Sequence, residues 1–263
     1  MGYLEHWSLS RSPFQSGDAD GLFLGASHRE ALAGLAYFAS SSWKLAMLSA
    51  APRCGTTSLL ELVVRMQGLG DAAIDAVLTK SSRNGPESVY GMFRRALGFR
   101  NHTTNPRRDI DSAIRESDRQ GLRTVWMIDP CDANTIAVAA DLAQHHRNLS
   151  VVAAASPSQR TGLTGAAGMC GMRIDLGPLS LSEIDAFLGH GLQQAGGSSS
   201  LFSENAKVRL HEFTGGIVGD LAIAAESSLK LAANHALQRV TPDIVEATIE
   251  IANQYAAVSA SNH

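Results

Sequence analysis

"KLAMLSAAPRCGTTSLLELVVRM", residues 44–66, runs from an apolar strand pattern through a tight turn into a helical pattern. Between strand 44–49 and helix 56–67 the chain reads Ala50-Ala51-Pro52-Arg53-Cys54-Gly55-Thr56-Thr57. The letters fall on the frame G-x-x-x-x-G-K-[ST], whose backbone amides cradle phosphates while its lysine neutralises their charge. Gly55 and Thr57 match; Ala50 replaces the first glycine and Thr56 the lysine. Thr56 brings no positive charge, and Pro52 removes one N–H from the turn. Two readings stay open. One is a plain strand-to-helix turn. The other is a degenerate phosphate loop of Gly55, Thr56 and Thr57, with Arg53 reaching back in the lysine's place.

Working outward, the spacing predicts a helix over 27–40, with Ser27 as N-cap and Glu30 three residues on. Apolar runs at 74–79, 122–129, 149–156 and 173–180 read as strands, and 85–98, 109–120 and 133–146 as helices. Continuous apolar strands alternating with helices imply a parallel sheet covered on both faces. The glycine-rich 162–172 reads as a loop. Helices follow at 181–194, 203–213, 217–233 and 241–255, with Ser180 and Thr241 as caps and Pro242 at a first helical position. "QQAGGSSS" (193–200) reads as a flexible connector. The expected layout is an α/β core over 1–178 and a helical lid over 179–263.

The 263 residues carry a formal net charge of −3, which offers no broad attraction to nucleic acid or an anionic membrane. No apolar run approaches the roughly 20 residues that span a bilayer. Cys54, Cys131 and Cys170 form no C-x-x-C pair, so a reducing, cytoplasmic location is expected.

Several strings resemble the AAA+ ATPases of the general secretion pathway protein A type: "YLEHWSLSRSPF" (3–14), "SHREAL" (27–32) and the stretch 175–217 that opens "DLGPLSLSEIDAFLGHGL". The resemblance implies a P-loop α/β sandwich with a C-terminal helical lid. It also implies where the chemistry should sit. Asp129, ending "VWMID", falls where the family holds Mg²⁺ through water, and Thr57 falls on the other metal ligand. The water-polarising glutamate is replaced by Pro130, and Asp132 reads better as a helix cap. The residue that senses the terminal phosphate falls in Ala155-Ser156-Pro157. The arginine lent to a neighbouring subunit falls at 168–173, where Gly168 and Met169 stand. The lid arginine, expected at the end of Gly215-Gly216-Ile217-Val218-Gly219, is replaced by Gly219. No catalytic residue remains to be named.

The other local patterns read more plainly. Cys54 beside Arg53 reads as a small loop cysteine, and His145-His146 as a helix end. "FRRALGFR" (93–100), three arginines interleaved with aromatics, could touch nucleic acid or a partner but reads better as a solvated helix face. The resulting expectation is a non-hydrolysing scaffold or regulator of a type II secretion or envelope-assembly complex. It would pack on itself or on an intact AAA+ paralogue, with no cofactor or with weakly bound ATP or ADP and Mg²⁺. Two alternatives stand beside it: an ATP-binding switch with little or no hydrolysis, using Arg53, Gly55, Thr57 and Asp129, and a DNA-associated AAA+ adaptor. The net acidic charge argues against the last, and nucleic acid is not expected as a partner.

Overall fold

The computed structural model describes residues 2–14, 22–66, 68–81, 86–101 and 105–261. Two compact units divide the chain: Ser27–Gly177, and Met1–Ala26 together with Pro178–His263.

The first unit is built on β1 (Leu45–Ala50), β2 (Gly68–Leu69), β3 (Ala72–Thr79), β4 (Arg123–Ile128), β5 (Leu149–Ala155) and β6 (Met172–Leu176), in the order β2-β3-β4-β5-β1-β6. All pairings are parallel except β2 with β3. Every residue of β1 is buried, which is why its sequence is apolar without alternation. Helix α2 (Ala26–Ser40) leads into β1, and helices α3 (Thr56–Met66), α4 (Pro86–Ala96), α5 (Pro106–Arg119), α6 (Ala133–His145) and α7 (Arg160–Ala167) connect the strands. Asn105 caps α5 by accepting from the Arg108 N–H at 3.1 Å, with Pro106 at the first position. Phe93 of α4 stacks on Trp126 of β4, ring centroids 3.9 Å apart, and the indole N–H donates to Thr79 Oγ1 at 2.8 Å. This is the P-loop type sandwich expected from sequence.

Three local expectations change. Residues 160–167 form α7 despite Gly162 and Gly165, because Leu163 and Ala167, four apart, are buried in the core; Gly168 ends the helix at φ 63°. Ser27 is not a cap. The helix starts at Ala26, and Ser27 Oγ accepts from the Gly177 N–H at 2.6 Å. The 193–200 connector is packed: the Gly197 N–H donates to the Leu192 carbonyl at 2.7 Å, and a Cβ there would meet Leu9 at 2.6 Å.

The second unit contains α1 (Tyr3–His6), α8 (Leu181–Gln194), α9 (Glu204–Thr214), α10 (Val218–Asn234) and α11 (Pro242–Ser261). Its core gathers Trp7, Ile184, Leu188, Phe202, Leu210 and Leu229. The Trp7 indole donates to the Leu229 carbonyl at 3.0 Å, so the opening residues belong with these helices, whereas the sequence reading counted them with 1–178. Ser180 and Glu183 form the capping box of α8. Among the described residues no helix is long and apolar enough to cross a membrane.

Candidate functional site

The strand order sets the site. β5 lies between β1 and β4, with Ser49 opposite Ala155 and Ile128 opposite Ala153. The loop after β1, Asp129 after β4 and Ser156 after β5 therefore share the C-terminal edge of the sheet, where open α/β sheets bind ligands. Thr57, in the first turn of α3, donates its hydroxyl to Asp129 Oδ2 at 2.6 Å. The two oxygens that sequence reading assigned to a metal thus meet, 72 residues apart in the chain.

Arg53 and Gly55 both have left-handed backbones, φ 68° and 90°. That conformation costs a non-glycine residue about 1–2 kcal/mol. Thr56 is the first residue of α3, and Pro52 and Arg53 are exposed. Sequence reading missed the support beneath the loop. His28 is fully buried, and its Nε2 donates to the Cys54 carbonyl at 3.1 Å. C=O and N–H point in opposite directions across a trans peptide, so this contact turns the Gly55 N–H away from His28. A Cβ at Gly55 would lie 3.1 Å from that ring nitrogen. His28 lies within "SHREAL" (27–32), but nothing in that string reveals its hold on the Cys54 backbone carbonyl.

The neighbouring positions are occupied by structural contacts. Asp132 Oδ1 accepts from the Thr135 N–H at 2.8 Å and caps α6. Ser156 Oγ donates to Gln159 Oε1 at 2.9 Å, closing its own turn. Arg173 Nε lies 2.6 Å from Asp175 Oδ2. Cys131 is buried, and desolvation pushes its thiol up to about 12, out of the nucleophilic range. Cys54 is also fully buried. His146 Nε2 lies 2.8 Å from Asp111 Oδ1, and His145 Nδ1 donates to the Asp141 carbonyl at 2.7 Å.

A P-loop fold implies a Mg²⁺-nucleotide at this edge. Thr57 and Asp129 are suitable oxygen donors for the metal. Thr56 and Pro130, where the resemblance expects the cation and the base, carry no ionisable side chain. Lys44 sits at the opposite end of β1, about 20 Å of strand away. Its ammonium donates to the carbonyls of His146 and Arg147, each at 2.6 Å, and of Leu149 at 3.2 Å. Burial lowers its pKa.

A second feature lies on α4, α5 and their connection. From Ser88 to Arg108 the sequence has no Asp or Glu and five arginines: 94, 95, 100, 107 and 108. The reading of 93–100 as a solvated helix face holds only in part. Phe93 is core, and Arg94 is 7% exposed with its Nε donating to Asp109 Oδ2 at 2.5 Å. Arg94 Nη1 donates to the Phe99 carbonyl at 3.3 Å, and its guanidinium lies 5.3 Å from the Phe99 ring centre. Arg95, Arg100, Arg107 and Arg108 are exposed.

The sequence matches no protein-family model and no curated protein. Solved structures do match. Drosophila ORC bound to DNA superposes with TM-score 0.65 at 15% identity, over 93% of this chain and 65% of that one. Aeropyrum pernix ORC2 in its ADP form gives 0.62 at 13%, over 92% and 72%. The Thermotoga maritima RuvB Holliday junction branch migration motor gives 0.57 at 12%, over 92% and 73%. These likenesses carry an AAA+-type fold and do not reach to the general secretion pathway protein A type. They also overturn the expectation that set nucleic acid aside: this fold recurs in a DNA-bound complex and a branch migration motor. The net charge of −3 is a sum over the whole chain and conceals the acid-free stretch.

Proposed function

We propose that this chain is a DNA-associated AAA+-type adaptor that does not turn over ATP. The observation that carries the reading is the segment from Ser88 to Arg108, which keeps four arginines exposed on an otherwise acidic chain. Lys and Arg that neutralise phosphates supply most non-specific DNA affinity. The fold's likeness to ORC bound to DNA and to the RuvB motor supports the assignment. Thr56 and Pro130, where a hydrolase needs a cation and a base, support an adaptor over a motor.

The pure chain at about 50 mM salt is expected to retard a labelled DNA duplex in a gel. The Arg95→Gln/Arg108→Gln variant is expected to bind at least about tenfold more weakly, through the loss of two phosphate contacts. A folded variant with unchanged affinity would move DNA binding elsewhere, and a wild-type chain that leaves the duplex unshifted would remove it.

The Thr57–Asp129 contact favours one second reading, an ATP-binding switch without turnover. Millimolar ATP bound with micromolar affinity would stabilise the fold by about 4 kcal/mol. An Mg²⁺-dependent rise in melting temperature separates this reading from the adaptor.

A further inference from the structure

The basic segment has a feature that charge alone does not explain: its best-buried arginine faces inward. Arg94 touches Asp109 at one end of its guanidinium and Phe99 at the other. Arg95 and Arg108 are each one residue from the Arg94–Asp109 pair. Arg100 is one residue from Phe99. Three exposed arginines, on α4, in its C-terminal connection and in the first turn of α5, thus each stand one residue along the chain from Arg94 or from one of its partners. Among the described residues no carboxylate pairs with Arg95, Arg100 or Arg108. Arg107 differs, lying 3.8 Å from Asp141 with both side chains about half exposed, where a pair is worth little.

The aromatic residues of the segment are turned the other way. Phe93 is stacked face to face on Trp126 with both rings fully buried. Phe99 lies beneath Arg94, and Tyr90 packs against the core. Single-strand binders need aromatic faces on which bases stack. Among the described residues of this segment, no aromatic side chain is exposed. What the surface offers is guanidinium groups, which contact phosphate and position a duplex without reading its sequence.

We infer that Arg94 is the positioning residue of an arc formed by Arg95, Arg100 and Arg108, and that the arc takes the sugar-phosphate backbone of duplex DNA. This deepens the DNA reading proposed above and rests on it. Arg94 makes no phosphate contact. Its pair with Asp109 fixes α4 against α5, and its contacts with Phe99 hold Arg100 near both. Losing this residue should scatter the arc while leaving its three charges in place.

The test is fluorescence anisotropy of a short labelled duplex with the full chain across a salt series. Three phosphate contacts give a slope of log K against log salt of about −2.7, and removing two of them shallows it by about 1.8. Arg95→Gln/Arg108→Gln should show that shallowing. Arg94→Gln should also shallow the slope although no exposed charge is removed. Arg94→Lys, which can still pair with Asp109, should recover part of it. Asp109→Asn serves as the second variant if Arg94→Gln does not fold by circular dichroism. Two duplexes of unrelated sequence should bind alike, and a single strand of equal length more weakly. If the double variant shallows the slope while the folded Arg94→Gln and Asp109→Asn variants do not, the positioning role is overturned and the DNA reading stands. If the double variant keeps the wild-type slope, the DNA reading itself fails at this surface. Tighter binding of the single strand overturns the duplex-backbone assignment.

Discussion

Pure protein mixed with ATP and Mg²⁺ is expected to release phosphate no faster than a protein-free control. The expectation follows from charge and geometry. Phosphoryl transfer is catalysed by placing positive charge on the migrating group and by orienting the attacking water. Thr56 stands where the cation is needed, and Lys44 is held by three carbonyls at the far end of β1. By the resemblance, Pro130 stands where the water-orienting acid is needed. Arg173 is bound to Asp175. A missing arginine finger alone lowers turnover by about 10³–10⁵. The single substitution Thr56→Lys restores a charge and no base, so it should leave release at background. Turnover of about 1 s⁻¹ or more by the wild-type chain, the low end of ordinary enzymes, would contradict the non-hydrolysing reading.

Replacing Gly216 by alanine should be the most damaging small substitution in the C-terminal unit. Gly215 and Gly216 stand just before Gly219, where the resemblance expects the lid arginine. In the structure Gly215 ends α9 at φ 58°, and Gly216 follows at φ 75°. The Leu179 N–H donates to the Gly216 carbonyl at 2.8 Å, which draws the two backbones together. A Cβ on Gly216 would lie 2.0 Å from the Leu179 carbonyl oxygen. Left-handed backbone strain and overpacking together cost about 3 kcal/mol or more. For a chain of this size that lowers the melting temperature by about 6–12 °C. Gly196 is the control. It shares the left-handed backbone, φ 85°, and a Cβ there would meet nothing within 4 Å. Gly196→Ala should therefore cost only the backbone strain, about 1–2 kcal/mol. Equal melting temperatures for the two variants would contradict the close-approach explanation.

The strands of the first unit were legible because burial on both faces writes itself as unbroken apolar runs, as in "LAMLSA" and "LSVVAAA". The helix over 160–167 was not, because Gly162 and Gly165 mask a helix stabilised by packing of Leu163 and Ala167. The two-residue strand β2 is too short to leave a pattern. At the site, the P-loop frame pointed to Thr57 and the resemblance to Asp129, and the structure brings the two side chains together in a hydrogen bond. His28 and Arg94 were out of reach for one reason. Each works on a distant backbone carbonyl or carboxylate, and such pairings follow from the fold. The net charge misled because summation removes position. Five arginines within fifteen residues vanish into a total of −3.

If fixed arginine charge holds DNA, binding is independent of nucleotide turnover. Titration of a labelled duplex at physiological salt, with and without Mg²⁺ and ATP, tests it most directly. The same binding curve is expected in both conditions, with a dissociation constant of about 10⁻⁶–10⁻⁴ M, as for phosphate contacts without base readout. Absence of binding in both conditions, or binding that appears only while ATP is being consumed, would contradict it.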